Sequence, residues 1–260
     1  MNPTLNVYAL PTLAGPDELA GATVVVIDVL RAATTIIHAL DAGATAVIPC
    51  SDIPTARQLA DQHPKELVVL GGEQNGLPIE GFDLGNSPSE YVPDRVAGKV
   101  VIFTTTNGTK AMLSSSRAGR VLIAAFVNAS SVAERLSGSP RICLLCAGTE
   151  NHFSRDDVLL AGLLVDRLQR HGGIQYRLNA QAITARENWT ASFAVPYVIG
   201  AEPLPPELLV AQLEKSEGGR RLIDIGAGED IRTAAQLDRF SIVPEMDTRN
   251  LTIRVLESGS

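Results

Sequence analysis

Basic side chains are too few and too scattered in this 260-residue chain to mark a nucleic-acid partner. Lys and Arg total 22 against 29 Asp and Glu, the formal net charge is -7, and no cationic run occurs. Non-specific nucleic-acid binding rests on cations that neutralise phosphates, so that class of partner is not expected. Aromatics are scarce at 4%, which leaves Val, Ile, Leu and Ala to build the core. Buried parallel strands have that composition. No apolar run approaches the roughly 18 residues needed to span a bilayer. Met1 to Leu13 lack the basic-then-apolar pattern of a secretory leader. No membrane partner is expected, and cytoplasmic residence is the expectation.

Cysteine is nearly absent: Cys50, Cys143 and Cys146 are too few for a disulfide framework. The Cys143-x-x-Cys146 spacing invites a redox or zinc reading. It falls on a predicted strand, however, where residues three apart point to opposite faces. No second pair or histidine cluster completes a zinc site. A Cys-x5-Arg phosphatase nucleophile is missing too, because His152 stands where the arginine would be. His152 as a proton donor and His152 as a surface residue are both open.

The chain does contain a repeated layout. Val24 to Thr35 and Val100 to Lys110 each run from an apolar stretch into a short polar loop and then a helix-like segment. Ligands of parallel α/β folds bind at such strand ends, where helix N-termini offer free N–H groups. A phosphate or other small anion is the expected ligand.

Periodicity predicts strands at 23–29, 46–49, 67–70, 100–103, 121–125 and 141–146. Helices are predicted at 32–41, 54–62, 109–117, 128–136 and 155–170, with Ser154 as an N-cap. Further helices are predicted near 179–187, 205–215, 218–223 and 230–237, and strands at 242–244 and 251–255. Residues 71–93 read as a long irregular loop rich in Gly, Pro, Asn and Ser, of the kind that usually serves function. The alternation predicts a three-layer α/β/α fold with a largely parallel sheet. Two subdomains sharing a cleft, 1–136 and 137–260, are the expected division, with a single domain as the alternative. Pro196 to Pro206 reads as a linker or lid anchor.

Several residues at these junctions can carry chemistry. Asp28 at a strand end reads as a metal ligand or general base, or else as the partner of Arg31 or a cap. Arg31 can grip phosphate bidentately, and Thr34 and Thr35 add hydroxyls. Thr104 to Thr109 reads as an anion nest, with Gly108 permitting the turn, or as a Thr-rich cap. Glu73 and Asp83 in the long loop can ligate a hard cation, and Asn86 and Ser87 can bind substrate. The alternative there is a string of Asx and Gly turns. Asp156 and Asp157 open a helix, where capping accounts for one carboxylate and leaves the other as ligand or base. Asp224 to Asp230 lacks the third glycine of a dinucleotide turn, and Asp230 reads as a cap.

Taken together, Val26 to Thr35, Gly81 to Pro88, Thr105 to Thr109, Cys146-Ala147-Gly148 and Asp156-Asp157 resemble the 2-phosphosulfolactate phosphatase family. The ordered match runs from about residue 20 to 165, with a weaker echo at Ser216 to Pro244. The resemblance implies a Mg²⁺-dependent acid phosphatase that cleaves the phosphate ester of 2-phospho-3-sulfolactate, as in coenzyme M biosynthesis. It also implies an α/β fold unlike the common phosphatase folds. Glu73-Gln74-Asn75-Gly76 departs from the Glu-Arg form of the family, which leaves another phosphorylated hydroxy acid open as substrate.

The expected mechanism is metal-assisted ester hydrolysis. Mg²⁺ would be held by Asp28 with Glu73 or Asp83. Arg31, Thr34 and the Thr105, Thr106, Asn107, Gly108 and Thr109 loop would bind phosphate. Asp156 or Asp157 would move the proton, and Asn86 and Ser87 would position the organic part. A haloacid-dehalogenase-type aspartyl nucleophile would want a second Asp at the Leu30 position. The rival readings are an anion sensor without turnover and a nucleotide-dependent transferase. A homodimer is an open expectation.

Overall fold

Val24 and Val26 face one apolar cluster and Val25 and Ile27 face another, so a single strand is buried on both sides. That alternation recurs across the sheet and explains its Val- and Ile-rich runs. A computed structural model describes residues 2–171, 173–193 and 204–256. Most of the Pro196–Pro206 segment lies outside the described residues.

The strands are β1 (Thr4–Tyr8), β2 (Thr23–Ile27), β3 (Ala46–Cys50), β4 (Val68–Gln74), β5 (Leu77–Pro78), β6 (Val100–Thr104), β7 (Arg120–Ala124), β8 (Arg141–Cys146), β9 (Arg177–Leu178), β10 (Pro244–Asp247) and β11 (Thr252–Val255). They form one sheet in the order β5-β4-β6-β3-β11-β10-β7-β2-β8-β1-β9. Two blocks, β4-β6-β3 and β7-β2-β8-β1-β9, are each internally parallel. The antiparallel hairpin β10–β11 joins them, pairing with β7 on one side and β3 on the other. The fold is therefore α/β with a mixed, mostly parallel sheet.

The helices are α1 (Pro16–Leu19), α2 (Ala32–Asp41), α3 (Ile53–Ala60), α4 (Pro93–Val96), α5 (Gly108–Ser114), α6 (Ala129–Leu136), α7 (Arg155–His171), α8 (Ala180–Ser192), α9 (Pro206–Leu213), α10 (Glu217–Asp224) and α11 (Gly228–Ala234). Ile36 and Ile37 of α2 and Met112 of α5 share a core with Val26, Val47, Val101 and Phe103, strand residues from both blocks. On the opposite face, Val132 of α6, Leu164 of α7, Ala185 of α8, Leu209 of α9 and Ile231 of α11 pack on Val25 and Leu144. The expected boundary near residue 136 does not coincide with a break in the sheet, since β8 follows it and sits between β2 and β1.

Cys143 and Cys146 join opposite cores, as strand geometry requires, and both are buried free thiols. Burial pushes both thiols up, Cys143 to about 11. The long loop is more ordered than its composition suggests. β4 runs on to Gln74 and turns into β5, and Gly72 makes this course possible: its φ is +133°, and a Cβ there would lie 1.9 Å from the Thr104 carbonyl oxygen. Only a residue without a side chain lets β4 pass that close to the end of β6.

Candidate active site

The carboxyl ends of β2, β4, β6 and β8 converge on one pocket, which α10 closes from the side. Strand ends from both parallel blocks meet there. Asp28 and Arg31 come from the β2–α2 junction, Glu73 and Gly76 from the β4–β5 turn, and Thr105 to Asn107 from the β6–α5 loop. Gly148 and Thr149 follow β8, and Asn86 comes from the long loop.

Asp28 is buried, and its Oδ1 accepts the Ala32 N–H at 3.0 Å. Among the described residues no donor reaches Oδ2. Gly108 lies against this oxygen, and a Cβ at Gly108 would be 2.5 Å from it. Burial raises the Asp28 carboxyl to about 7, and the charges of Asp156 and Glu73 push the same way. The Ala32 amide and Arg31 oppose the rise.

Arg31 does not pair with Asp28. Its Nη1 donates to Asp230 Oδ2 at 2.7 Å, and its Nη2 to the Gly76 carbonyl at 3.3 Å. Asp230 is fixed in turn by the Ser87 hydroxyl, which donates to its Oδ1 at 2.5 Å. The cap reading of Asp230 misses this role: it neutralises and aims a buried guanidinium. Ser87 holds Asp230 and does not line the pocket.

Glu73 ties the β4–β5 turn to the threonine loop. It accepts the Thr106 N–H at 2.7 Å, the Thr106 hydroxyl at 3.1 Å and the Gly76 N–H at 2.5 Å. The Thr106 hydroxyl accepts the Asn75 N–H in return. Thr105 Oγ1 accepts the Thr109 N–H and so caps α5, while Asn107 Oδ1 accepts the Glu150 N–H. Among the described residues no acceptor takes the N–H of Asn107 or Gly108. These two donors are free for an oxyanion.

Asp156 and Asp157 are buried behind this layer and do not line the pocket. Asp157 accepts the Val29 N–H at 2.8 Å and the Gly148 N–H at 3.0 Å, clamping the ends of β2 and β8 together. It does not close a capping box with Ser154, whose hydroxyl donates to Asp156. Burial raises both carboxyls, and for Asp157 the neighbouring Asp156 and Asp28 charges add to it. Direct proton transfer to a substrate therefore does not fit either residue.

Four more candidate residues do not line the pocket. The Asp83 carboxylate accepts the Leu70 N–H away from the pocket, where it shapes the loop and is no partner to Asp28 in holding a metal. Thr34 is fully buried and donates to the Val29 carbonyl, and Thr109 donates to the Thr105 carbonyl. His152 is exposed and outside the lining. Arg221 and Thr149 also line the pocket, and the sequence motifs do not include them. Arg221 lies in the weak echo after Ser216, and no local pattern marks it.

A family model described as 2-phosphosulpholactate phosphatase matches residues 8–249. The chain belongs to the 2-phosphosulfolactate phosphatase family. A probable 2-phosphosulfolactate phosphatase of Caldanaerobacter subterraneus subsp. tengcongensis is 38% identical over 230 residues, covering 88% of this chain and 89% of its own. The Thermotoga maritima protein of the same description is 38% identical over 224 residues, covering 86% and 88%. That of Prochlorococcus marinus strain MIT 9303 is 38% identical over 241 residues, covering 90% and 91%.

The donor set of this 2-phosphosulfolactate phosphatase family member fits a hard cation that keeps much of its water. Among the described residues no three His, Cys, Asp or Glu side chains form a metal cage. Mg²⁺ is often bound by only one or two carboxylates together with substrate phosphate. Asp28 Oδ2 is free, and the buried Asn86 Oδ1, on a residue lining the same pocket, has no hydrogen-bond partner. Glu73 suits a ligand less well, because amide and hydroxyl donors already occupy both its oxygens.

Proposed function

We propose that this protein hydrolyses the phosphate ester of 2-phospho-3-sulfolactate or a similar phosphorylated hydroxy acid, with Mg²⁺ as cofactor. The observation that carries the reading is the Asp28–Gly108 contact. It brings the free Asp28 oxygen against the start of α5, in a pocket that Arg31 and Asn107 also line.

Asp28 Oδ2 and Asn86 Oδ1 would hold the cation, which when bound supplies Lewis-acid polarisation of the phosphoryl oxygens. Arg31 and the Asn107 and Gly108 amides stabilise the charge that spreads over those oxygens in the transition state. Asp230 and Ser87 keep Arg31 from collapsing onto Asp28. Leu30, Leu222 and Ile225 give the pocket an apolar wall suited to a short carbon chain. Asp156 acts on Asp28 through space and raises its proton affinity.

The partner in this reading is a small acid, and the setting is the cytoplasm. A nucleic acid is disfavoured by the net charge of -7, and no helix among the described residues is long and apolar enough to cross a membrane. Phosphate release from a panel of phosphorylated hydroxy acids, with Mg²⁺ and then with EDTA, tests the proposal. Release that needs Mg²⁺ but no nucleotide supports it. Tight binding without release would favour an anion sensor, and dependence on a nucleotide would favour a transferase.

A further inference from the structure

The pocket holds two guanidinium groups that are bound very differently. Arg31 is 8% exposed and pairs with Asp230, itself 5% exposed. Arg221, on α10, is 37% exposed and pairs with Glu150, which is 50% exposed, at 2.7 Å. Both arginines donate to the same turn between β4 and β5: Arg31 to the Gly76 carbonyl, and Arg221 to the Asn75 carbonyl at 3.0 Å. That turn is itself anchored through Glu73 and Thr106. The two cations are thus set on a common rigid support, each with its own anion.

The difference in burial separates their roles. A buried pair cannot give up its partner without stranding a charge. An exposed pair is worth little, so exchanging Glu150 for another anion costs little. Arg221 also lines the pocket with the apolar Leu222 and Ile225, and its two partners, Asn75 and Glu150, each donate a backbone N–H to the threonine loop, to Thr106 Oγ1 and Asn107 Oδ1.

We propose that Arg221 determines specificity by gripping a second acidic group of the substrate, a carboxylate or sulfonate on the same short chain, in exchange for Glu150. The inference rests on the phosphatase reading and assigns the second anion to a residue of this site. Glu150 then acts as a stand-in anion that competes with the ligand. The planar fork of Arg221 suits either acid bidentately.

Calorimetric titration of the full chain with 3-sulfolactate and, separately, with inorganic phosphate tests the assignment without requiring turnover. Arg221→Gln should weaken sulfolactate by about 10- to 100-fold, the range for a lost charged hydrogen bond. Phosphate should weaken less than sulfolactate, because Arg31 and its Asp230 support stay in place. Arg221→Lys should fall between wild type and Gln, and Glu150→Gln should tighten sulfolactate. Thermal melts of each variant show whether the fold is kept. No binding of sulfolactate to wild type, unchanged affinity in Arg221→Gln, or equal weakening of both probes would each overturn the proposal. If wild type releases no phosphate from any ester yet shows the expected binding pattern, the phosphatase reading fails and the Arg221 assignment stands.

Discussion

Arg31 and Asp230 are 199 positions apart in the chain and form a buried ion pair, 2.7 Å from Nη1 to Oδ2. This contact fixes α11 to the β2–α2 junction. The C-terminal part of the chain therefore supplies a supporting wall of the anion site.

Asp230→Ala strands the Arg31 charge in a buried setting. Breaking one side of a buried pair costs about 3–5 kcal/mol. The variant should unfold at lower urea by that amount and show a raised KM for the phosphate ester. Stability equal to wild type would mean that the pair does not hold the junction.

Asp157→Ala leaves two buried N–H groups, those of Val29 and Gly148, without an acceptor. Each unsatisfied donor costs about 1–3 kcal/mol. Urea denaturation should show a loss of about 2–4 kcal/mol. Turnover per folded molecule should fall less than in Asp28→Asn. The reverse ranking, with stability kept and turnover abolished, would restore Asp157 as a proton carrier.

Stability in EDTA should fall as pH rises from about 4 to about 7. Asp28 titrates near 7 in the folded chain, well above an unfolded aspartate, so the folded state binds more protons across that window. Asp156 and Asp157 are raised as well and act with the same sign. Asp28→Asn removes one of these sites. It should flatten the curve and be more stable than wild type at pH 7 without metal. A variant less stable than wild type under those conditions would contradict the assignment.

Gly108→Ala places a methyl group 2.5 Å from Asp28 Oδ2 and 2.6 Å from the Ala32 Cβ. The threonine loop must then lift from Asp28. Misplacement of about 1 Å costs on the order of 100-fold in rate, so kcat/KM should fall by about that factor. Unchanged kcat/KM would show that the contact does not set the geometry.

The parallel strands are legible because burial on both faces demands continuous apolar runs, Val- and Ile-rich in β2 and built of Ile, Leu and Cys in β8. Helix α2 was legible from its apolar stripe. The hairpin β10–β11 was harder to place, since nothing in Pro244–Asp247 states that it bridges two parallel blocks. β1 escaped notice because Asn6 interrupts its apolar pattern. Within the site, the residues at strand ends, Asp28, Arg31, Thr105 and Asn107, were visible from local pattern and do line the pocket. Asp83 looks equally apt, but its carboxylate accepts the Leu70 N–H of β4 instead. Asp230 and Arg221 gain their roles through partners far away in sequence, and no local pattern encodes such a partner.

In the proposed reaction Asp28 presents its free oxygen to a phosphate ester and its cation. Steady-state phosphate release from 2-phospho-3-sulfolactate in Mg²⁺, by wild type and by folded Asp28→Asn, tests it most directly. Wild type should release phosphate only with Mg²⁺, and the variant should lose about 100-fold or more. Turnover by Asp28→Asn close to the wild-type rate, with the same Mg²⁺ dependence, would contradict it.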